Sequence, residues 1–377
     1  MTTADITPRP SDPQAATLKP NAIGFLDSLV IGLASTAPAY SLAPAYSLAA
    51  VIGSLVVVVG IQAPGALLAS FVPMFLIAGA FFYMNRADRD AGTTFSWVTR
   101  TLGPWVGWIG GWAVCMTGIL VIGSLADVGA RYTYLVVGWD SAAGSKAAVI
   151  ALAIAYIVVL TWVCILGTEL SARLQNVISA VASTQTTIIP ASRTALSMAR
   201  SGAFPSLLAR IHSRFRTPHV ATATVAFLAI AWYLPANVIS ENFLFDSLSA
   251  LALMIAFYYT LSGVACIVYY RRELTKSIWN FVIIGVGPAI GALLLGYLFV
   301  EATRSLADTG ESYSGQEILG LAPPLVIGYG FLLLGVILMV VWRVSGGGER
   351  YFHRHAFETV DPAVASGAAQ VADDPTA

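Results

Sequence analysis

Residues 32–44, Gly-Leu-Ala-Ser-Thr-Ala-Pro-Ala-Tyr-Ser-Leu-Ala-Pro, carry the clearest chemical signal in the chain. Proline has no N–H, so Pro38 cannot bond the carbonyl of Ala34, and Pro44 cannot bond that of Tyr40. Residues Ser35, Thr36 and Ala37 are then free to leave helical geometry. Unwinding there exposes backbone N–H groups at the start of a half-helix, where the peptide dipoles sum to roughly half a positive charge. Such a group suits a carboxylate. The freed carbonyls, with the Ser35 and Thr36 hydroxyls, suit a cation or an ammonium. A discontinuous helix of this kind is a recurrent way to build a ligand site at membrane depth. The competing reading is a proline kink healed by neighbouring helices. The hexapeptide Pro-Ala-Tyr-Ser-Leu-Ala occurs at 38–43 and again at 44–49, a local duplication with no required function.

Other groups capable of chemistry are sparse. Asp127 and Arg131 stand four residues apart, at ion-pairing distance on a helix. Asp27, Glu169 and Glu301 fall at the ends of apolar segments, where pairing or hydration accounts for them. The four histidines, His212, His219, His353 and His355, lie in basic polar stretches without metal-ligand spacing. A membrane enzyme would be expected to gather such groups at one face, so an enzymatic role is not expected. Neither is a resident cofactor. Cys115, Cys164 and Cys266 lie inside apolar stretches and read as buried small hydrophobes.

The elements that must position these groups are membrane helices. The chain is 57% hydrophobic and 11% charged, with a mean hydropathy of +0.76. Soluble domains carry about 25% charged residues. Residues 28–85 contain no Asp, Glu, Lys, Arg or His. As one helix they would extend ~87 Å, nearly three bilayer cores of ~30 Å. Eight segments are long and apolar enough to span: 25–50, 60–84, 103–126, 147–167, 220–239, 245–269, 279–300 and 321–342. A ninth, 174–192, is uncharged but rich in Gln, Asn, Ser and Thr and contains Pro190. Exposed to lipid it would span poorly. The pattern implies an all-α polytopic membrane protein, and the zero net charge gives no electrostatic case for nucleic acid.

Basic residues orient the spans. With the N-terminus in the cytoplasm, 17 of the 20 lysines and arginines fall on the cytoplasmic side; Arg131, Lys146 and Arg304 fall opposite. Both termini are then cytoplasmic. Segment 174–192 has basic residues of the same side on both flanks. It is expected to be partly inserted or to flank the cytoplasmic face, followed by a cytoplasmic segment at 193–218. Tails at 1–20 and 346–377 read as disordered cytoplasmic segments, and the first holds no apolar core of a cleavable leader. Gly103, Gly107 and Gly111, interleaved with Trp105, Trp108 and Trp112, predict close helix packing, with the indoles forming an interfacial belt.

These residues resemble a known family. Gly32-Leu-Ala-Ser-Thr-Ala-Pro-Ala-Tyr-Ser-Leu-Ala looks like the first helix of bacterial amino acid permeases of the amino acid–polyamine–organocation (APC) superfamily. Asn85-Arg-Ala-Asp-Arg-Asp-Ala-Gly-Thr-Thr-Phe-Ser-Trp-Val, with Leu102-Gly-Pro-Trp-Val-Gly-Trp, resembles the approach to its third helix. Leu166-Gly-Thr-Glu-Leu-Ser-Ala-Arg-Leu-Gln-Asn resembles the start of the fifth. Ala182-Ser-Thr-Gln-Thr-Thr-Ile-Ile-Pro-Ala-Ser-Arg-Thr-Ala-Leu-Ser-Met-Ala-Arg-Ser-Gly-Ala-Phe-Pro resembles the end of the eighth. Together with the flanking spans these matches cover most of residues 22–345, the transmembrane region being set at 21–345.

The resemblance implies an inverted-repeat transporter fold in the bacterial inner membrane, working on an amino acid or related amine with a proton or sodium ion as coupling ion. By position, Ser35, Thr36, Ala37 and Pro38 would contact substrate, and Ser183 and Thr184 would match cation-coordinating positions of sodium-coupled relatives. The chain departs from the family between residues 175 and 182. Counterparts of the rest of helix five, of helices six and seven and of the start of helix eight are absent, leaving an incomplete version of the fold. Two readings follow: a secondary transporter, or a non-transporting remnant or subunit of a full-length permease. In the second, partner helices would cover the surface left by the missing ones.

Overall fold

The computed structural model describes residues 60–167, 179–239, 243–312 and 314–353. The first expected span, 25–50, lies outside these residues, as do Asp27, Ser35–Pro38, Glu169 and the tail 1–20. The described residues form nine principal helices: α1 (Ala63–Ala87), α2 (Thr94–Leu102), α3 (Pro104–Val137), α4 (Lys146–Leu166), α5 (Ser179–Arg200), α6 (His219–Ile239), α7 (Phe243–Tyr269), α8 (Ile278–Ser305) and α9 (Pro323–Val344). Six of them are long and apolar enough to cross a membrane: α3, α4, α6, α8, α9 and α7 over Asp246–Tyr269. Helix α1 carries a shorter apolar stretch, Phe71–Ala87. The architecture is that of an all-α polytopic membrane protein, and the expected spans from 60 to 342 fall on α1, α3, α4 and α6–α9.

Helix α3 is the axis of the bundle. At 34 residues it extends ~51 Å, well beyond a ~30 Å hydrocarbon core, and it continues eleven residues past the expected end at 126. Most of its length is buried. Glycines let neighbours approach closely. A Cβ at Gly118 would lie 2.6 Å from Ala191 Cβ, and one at Gly111 would lie 2.9 Å from Phe95 Cβ and Met198 Sδ. Trp108 and Trp112 are not an interfacial belt. Both are buried, stacked at 5.6 Å, with Nε1 donating to Ala203 O (3.0 Å) and Phe331 O (2.8 Å). Burial of an indole requires a partner for its N–H, and carbonyls from the chain after α5 and from α9 supply it.

Paired residues fix the directions. Ala191 lies beside Gly118 and Met198 beside Gly111, so α5 runs antiparallel to α3 with its C-terminus at the Pro104 end. Tyr134 reaches Ala148 O, and Thr217 Oγ1 donates to Ile165 O, so α4 ends where α6 begins. Thr94 bonds Ser262, Tyr270 bonds Tyr83 O, and Trp342 bonds Gly202 O. One end of the bundle therefore gathers Arg86, Arg89, Arg100, Arg200, Arg210, Arg214, Arg216, Arg271, Arg272, Lys276 and Arg343. Arg131, Lys146 and Arg304 lie toward the other.

Two further boundaries differ from the sequence expectation. Helix α5 runs through Pro190 to Arg200 without a break, so 192/193 is not an element boundary. The helix continues past the proline because its opposite face is held by packing: Pro190 is exposed, while Ile188, Ala191, Ser192 and the residues from Thr194 to Ala199 are buried. The second difference is at the C-terminus. Residues 349–352 form a helical turn, and Tyr351 is fully buried, stacked on Phe95 and bonded through Oη to Thr99 Oγ1 (2.9 Å) and Pro104 O (2.8 Å). The disorder expected from residue 346 therefore does not begin there, because Tyr351 and Phe352 have an aromatic socket to fill. Residues 354–377 lie outside the described part.

Candidate functional site

Helix α5 brings uncharged polar side chains deep into the bundle. Thr184, Gln185 and Thr186 are all buried, as are Ser192, Thr194 and Ser197 nearer the basic end. Thr184 lies seven residues, ~10 Å, beyond Ala191 along the helix, which sets it near the level of Leu125 on α3. Ser183 occupies the same turn of α5. Of the residues singled out in the sequence, Thr184 is thus enclosed within the bundle. Its relation to Ser35–Pro38 lies outside the described residues.

The same level is polar on the other sides of α3. Gly110, Thr117 and Ser124 share one face at seven-residue spacing, and Gly110 packs against Leu261 of α7. Antiparallel α7 then carries Asp246 and Ser247, both fully buried, to about the level of Ser124. Ser124 Oγ is buried and has no hydrogen-bond partner among the described residues. Asp246 accepts from Ser314 Oγ (2.5 Å) and from Ser314 N (3.3 Å), which ties the loop before α9 to the first turn of α7. On the α6 side, Asp127 Oδ1 accepts from Tyr233 Oη (2.7 Å), and Asp127 Oδ2 accepts from Arg131 Nε (3.1 Å). Asp127 is buried and Arg131 nearly so. Together these groups form a polar layer across the bundle, a buried ion pair beside a row of hydroxyls and amides. An ionisable pair buried in this way inside a membrane domain marks a candidate functional site.

A second cluster closes the basic end. The connection between α1 and α2 folds around Asp90. Its Oδ1 accepts from Gly92 N (2.8 Å), Ser197 Oγ (2.5 Å) and Ser96 Oγ. Gly92 is required here, since a Cβ would lie 2.5 Å from Ser197 Oγ. Asp88 pairs with Arg100 (2.7 Å), and Trp97 Nε1 donates to Asp88 O (3.0 Å). Burial acts to raise the Asp90 pKa, but the hydrogen bonds from Ser197, Ser96 and Gly92 outweigh it and hold the carboxyl below its ordinary value. For Asp88 burial prevails over the Arg100 charge, and its pKa is raised. Through Ser197 this loop is fastened to the end of α5, the helix that carries Thr184.

No protein-family model and no curated protein matches the chain. Among the described residues no group of His, Cys, Asp and Glu could hold a metal ion, and the three cysteines are buried and form no disulfide.

Sequence reasoning located Thr184, Asp127 and Arg131 but not Tyr233, Ser197, Asp246 or Tyr351. The partners Tyr233–Asp127 and Ser197–Asp90 are 106 and 107 residues apart, and no local pattern announces such pairs. Tyr351 had a readable signal: it begins an aromatic pair in an otherwise polar stretch.

Proposed function

We propose that the chain derives from the bacterial amino acid permeases and acts as a secondary transporter of an amino acid or related amine in the inner membrane. On this reading both termini are cytoplasmic, eight helices span, and α5 enters from the cytoplasmic face and reaches the level of Asp127. Ser35, Thr36, Ala37 and Pro38 hold the ligand's charged groups, and Ser183 and Thr184 contribute to the site of the coupling cation. A proton or a sodium ion supplies the coupling.

The observation that carries this reading is the buried turn Thr184-Gln-Thr of α5, uncharged and polar at the level of Ser124 and Asp127. The sequence resemblance supplies the substrate class.

Ligand binding tests the proposal. Thermal melting of the purified chain is followed with each common amino acid and with small amines. A ligand at a hundred times its Kd should raise the stability by about 2.7 kcal/mol. One amino acid or amine is expected to shift the transition, and Thr184→Val is expected to abolish the shift while leaving the unliganded transition near its original temperature. No shift with any of them contradicts the reading. No shift, together with co-purification with a full-length permease, would replace it by the subunit reading.

A further inference from the structure

The connection from α7 to α8, residues 270–277, is a fixed turn. Glu273 N and Leu274 N donate to Tyr270 O (2.7 and 3.2 Å), and Lys276 N donates to Glu273 O (3.1 Å). Leu274 anchors it from below: a Cβ at Gly285 would lie 3.2 Å from Leu274 Cδ2. Tyr270 anchors it from the side, donating Oη to Tyr83 O (2.9 Å) with the two rings edge-on at 6.3 Å. The turn is thereby held against the last turns of α1, where Arg86 lies over the Phe82 ring at 5.6 Å.

What this turn presents is cationic. Arg86, Arg271, Arg272 and Lys276 are exposed; Glu273, also exposed, is the one carboxylate among them. Directly after it, Ile278 and Trp279 are 77% and 71% exposed, and Phe281, Val282 and Ile283 continue the apolar surface. Exposed apolar side chains of this size next to a cationic turn match the boundary between phospholipid headgroups and acyl chains, where tryptophan is favoured.

We infer that the 270–277 turn and Arg86 form a docking site for the headgroup phosphate of an anionic phospholipid, whose acyl chains lie along the Trp279–Ile283 surface of α8. Arginine meets a phosphate through paired N–H donors, so Arg86, Arg271 and Arg272 supply orientation as well as charge. The site differs from the general basic character of this end in three respects: the turn is held by its own hydrogen bonds, two helices converge on it, and an apolar surface adjoins it for the chains.

The test uses the full chain purified in a neutral detergent, with phosphatidylglycerol and phosphatidylcholine of matched acyl chains. Native mass spectrometry counts the lipids retained. Phosphatidylglycerol should be retained at least tenfold more than phosphatidylcholine. Removing the three cations of the turn (Arg271→Gln with Arg272→Gln and Lys276→Gln) should lower that retention at least tenfold, since each cation at an anionic surface contributes measurably to binding. The corresponding change at Arg210, Arg214 and Arg216 should leave retention unchanged. The single variant Arg272→Glu gives the same reading should the triple variant not fold. Equal retention of the two lipids, unchanged retention in the turn variants, an equal loss in both triple variants, or displacement of the lipid by millimolar inorganic phosphate would each overturn the site.

Discussion

Tyr233 donates its hydroxyl to Asp127 Oδ1 at 2.7 Å, joining α6 to α3 in the half of the bundle away from the basic end. Arg131 holds the other carboxylate oxygen, so Asp127 is enclosed with both oxygens occupied. Removing one member of such a group leaves a buried polar atom without its partner.

Tyr233→Phe should therefore destabilise the chain by about 1–2 kcal/mol, and Asp127→Ala by more, about 3 kcal/mol, because Arg131 would lose its buried counter-ion. Replacing Asp127 and Arg131 together by Leu and Met should recover much of the second loss. Melting temperatures in detergent measure all three. A larger loss in the double variant than in Asp127→Ala would contradict the ion-pair account.

Close approach of α3 and α5 depends on Gly118. A Cβ there would lie 2.6 Å from Ala191 Cβ, between two helices that cannot move independently of the core. Gly118→Val should lower folded yield severely, whereas Gly65→Ala, in open surroundings, should change little. Monodispersity on size-exclusion chromatography separates the two outcomes.

The Asp90 loop should show a signed pH dependence. Its folded-state pKa is depressed, so its contribution is present above the ordinary carboxylate pKa and is lost as pH falls through the folded value. Asp88, with a raised pKa, works in the opposite sense: its contribution is present below the ordinary carboxylate pKa and is lost as pH rises through the raised folded value. Asp90→Asn should cost about 2 kcal/mol near neutral pH, and the difference from the parent should close only below about pH 4. A difference that does not change with pH would contradict the assignment.

The Tyr351 socket predicts a role for the residues after α9. Tyr351→Ala should cost about 3–4 kcal/mol through the cavity it leaves, and Tyr351→Phe about 1 kcal/mol through the lost bonds to Thr99 and Pro104. Removing residues 354–377 should leave the melting temperature near its original value. A truncation after Gly348 that melts like the parent would refute the socket.

Much of the membrane architecture is legible in the sequence because apolar length alone specifies it. Helices α4, α6 and α9 begin and end within a few residues of their expected bounds. Helix α3 is longer than its apolar pattern because Asp127 and Arg131 neutralise each other inside it, so charge there does not mark an end. The continuity of α5 through Pro190 was hidden for a similar reason: a proline ends a helix in isolation, but packing against α3 carries this one on. The polar layer was legible in one part. Thr184 was found through the family resemblance, whereas Ser124, Asp246 and Tyr233 join it only through contacts between distant segments.

The central claim, transport of an amino acid or amine, is tested most directly by uptake into proteoliposomes that contain only this chain. With an imposed proton or sodium gradient, the account predicts saturable uptake of a radiolabelled ligand found in the melting screen, competed by the unlabelled compound and lost in Thr184→Val. Uptake no greater than in protein-free liposomes, from a preparation that is folded and binds the ligand, would contradict it.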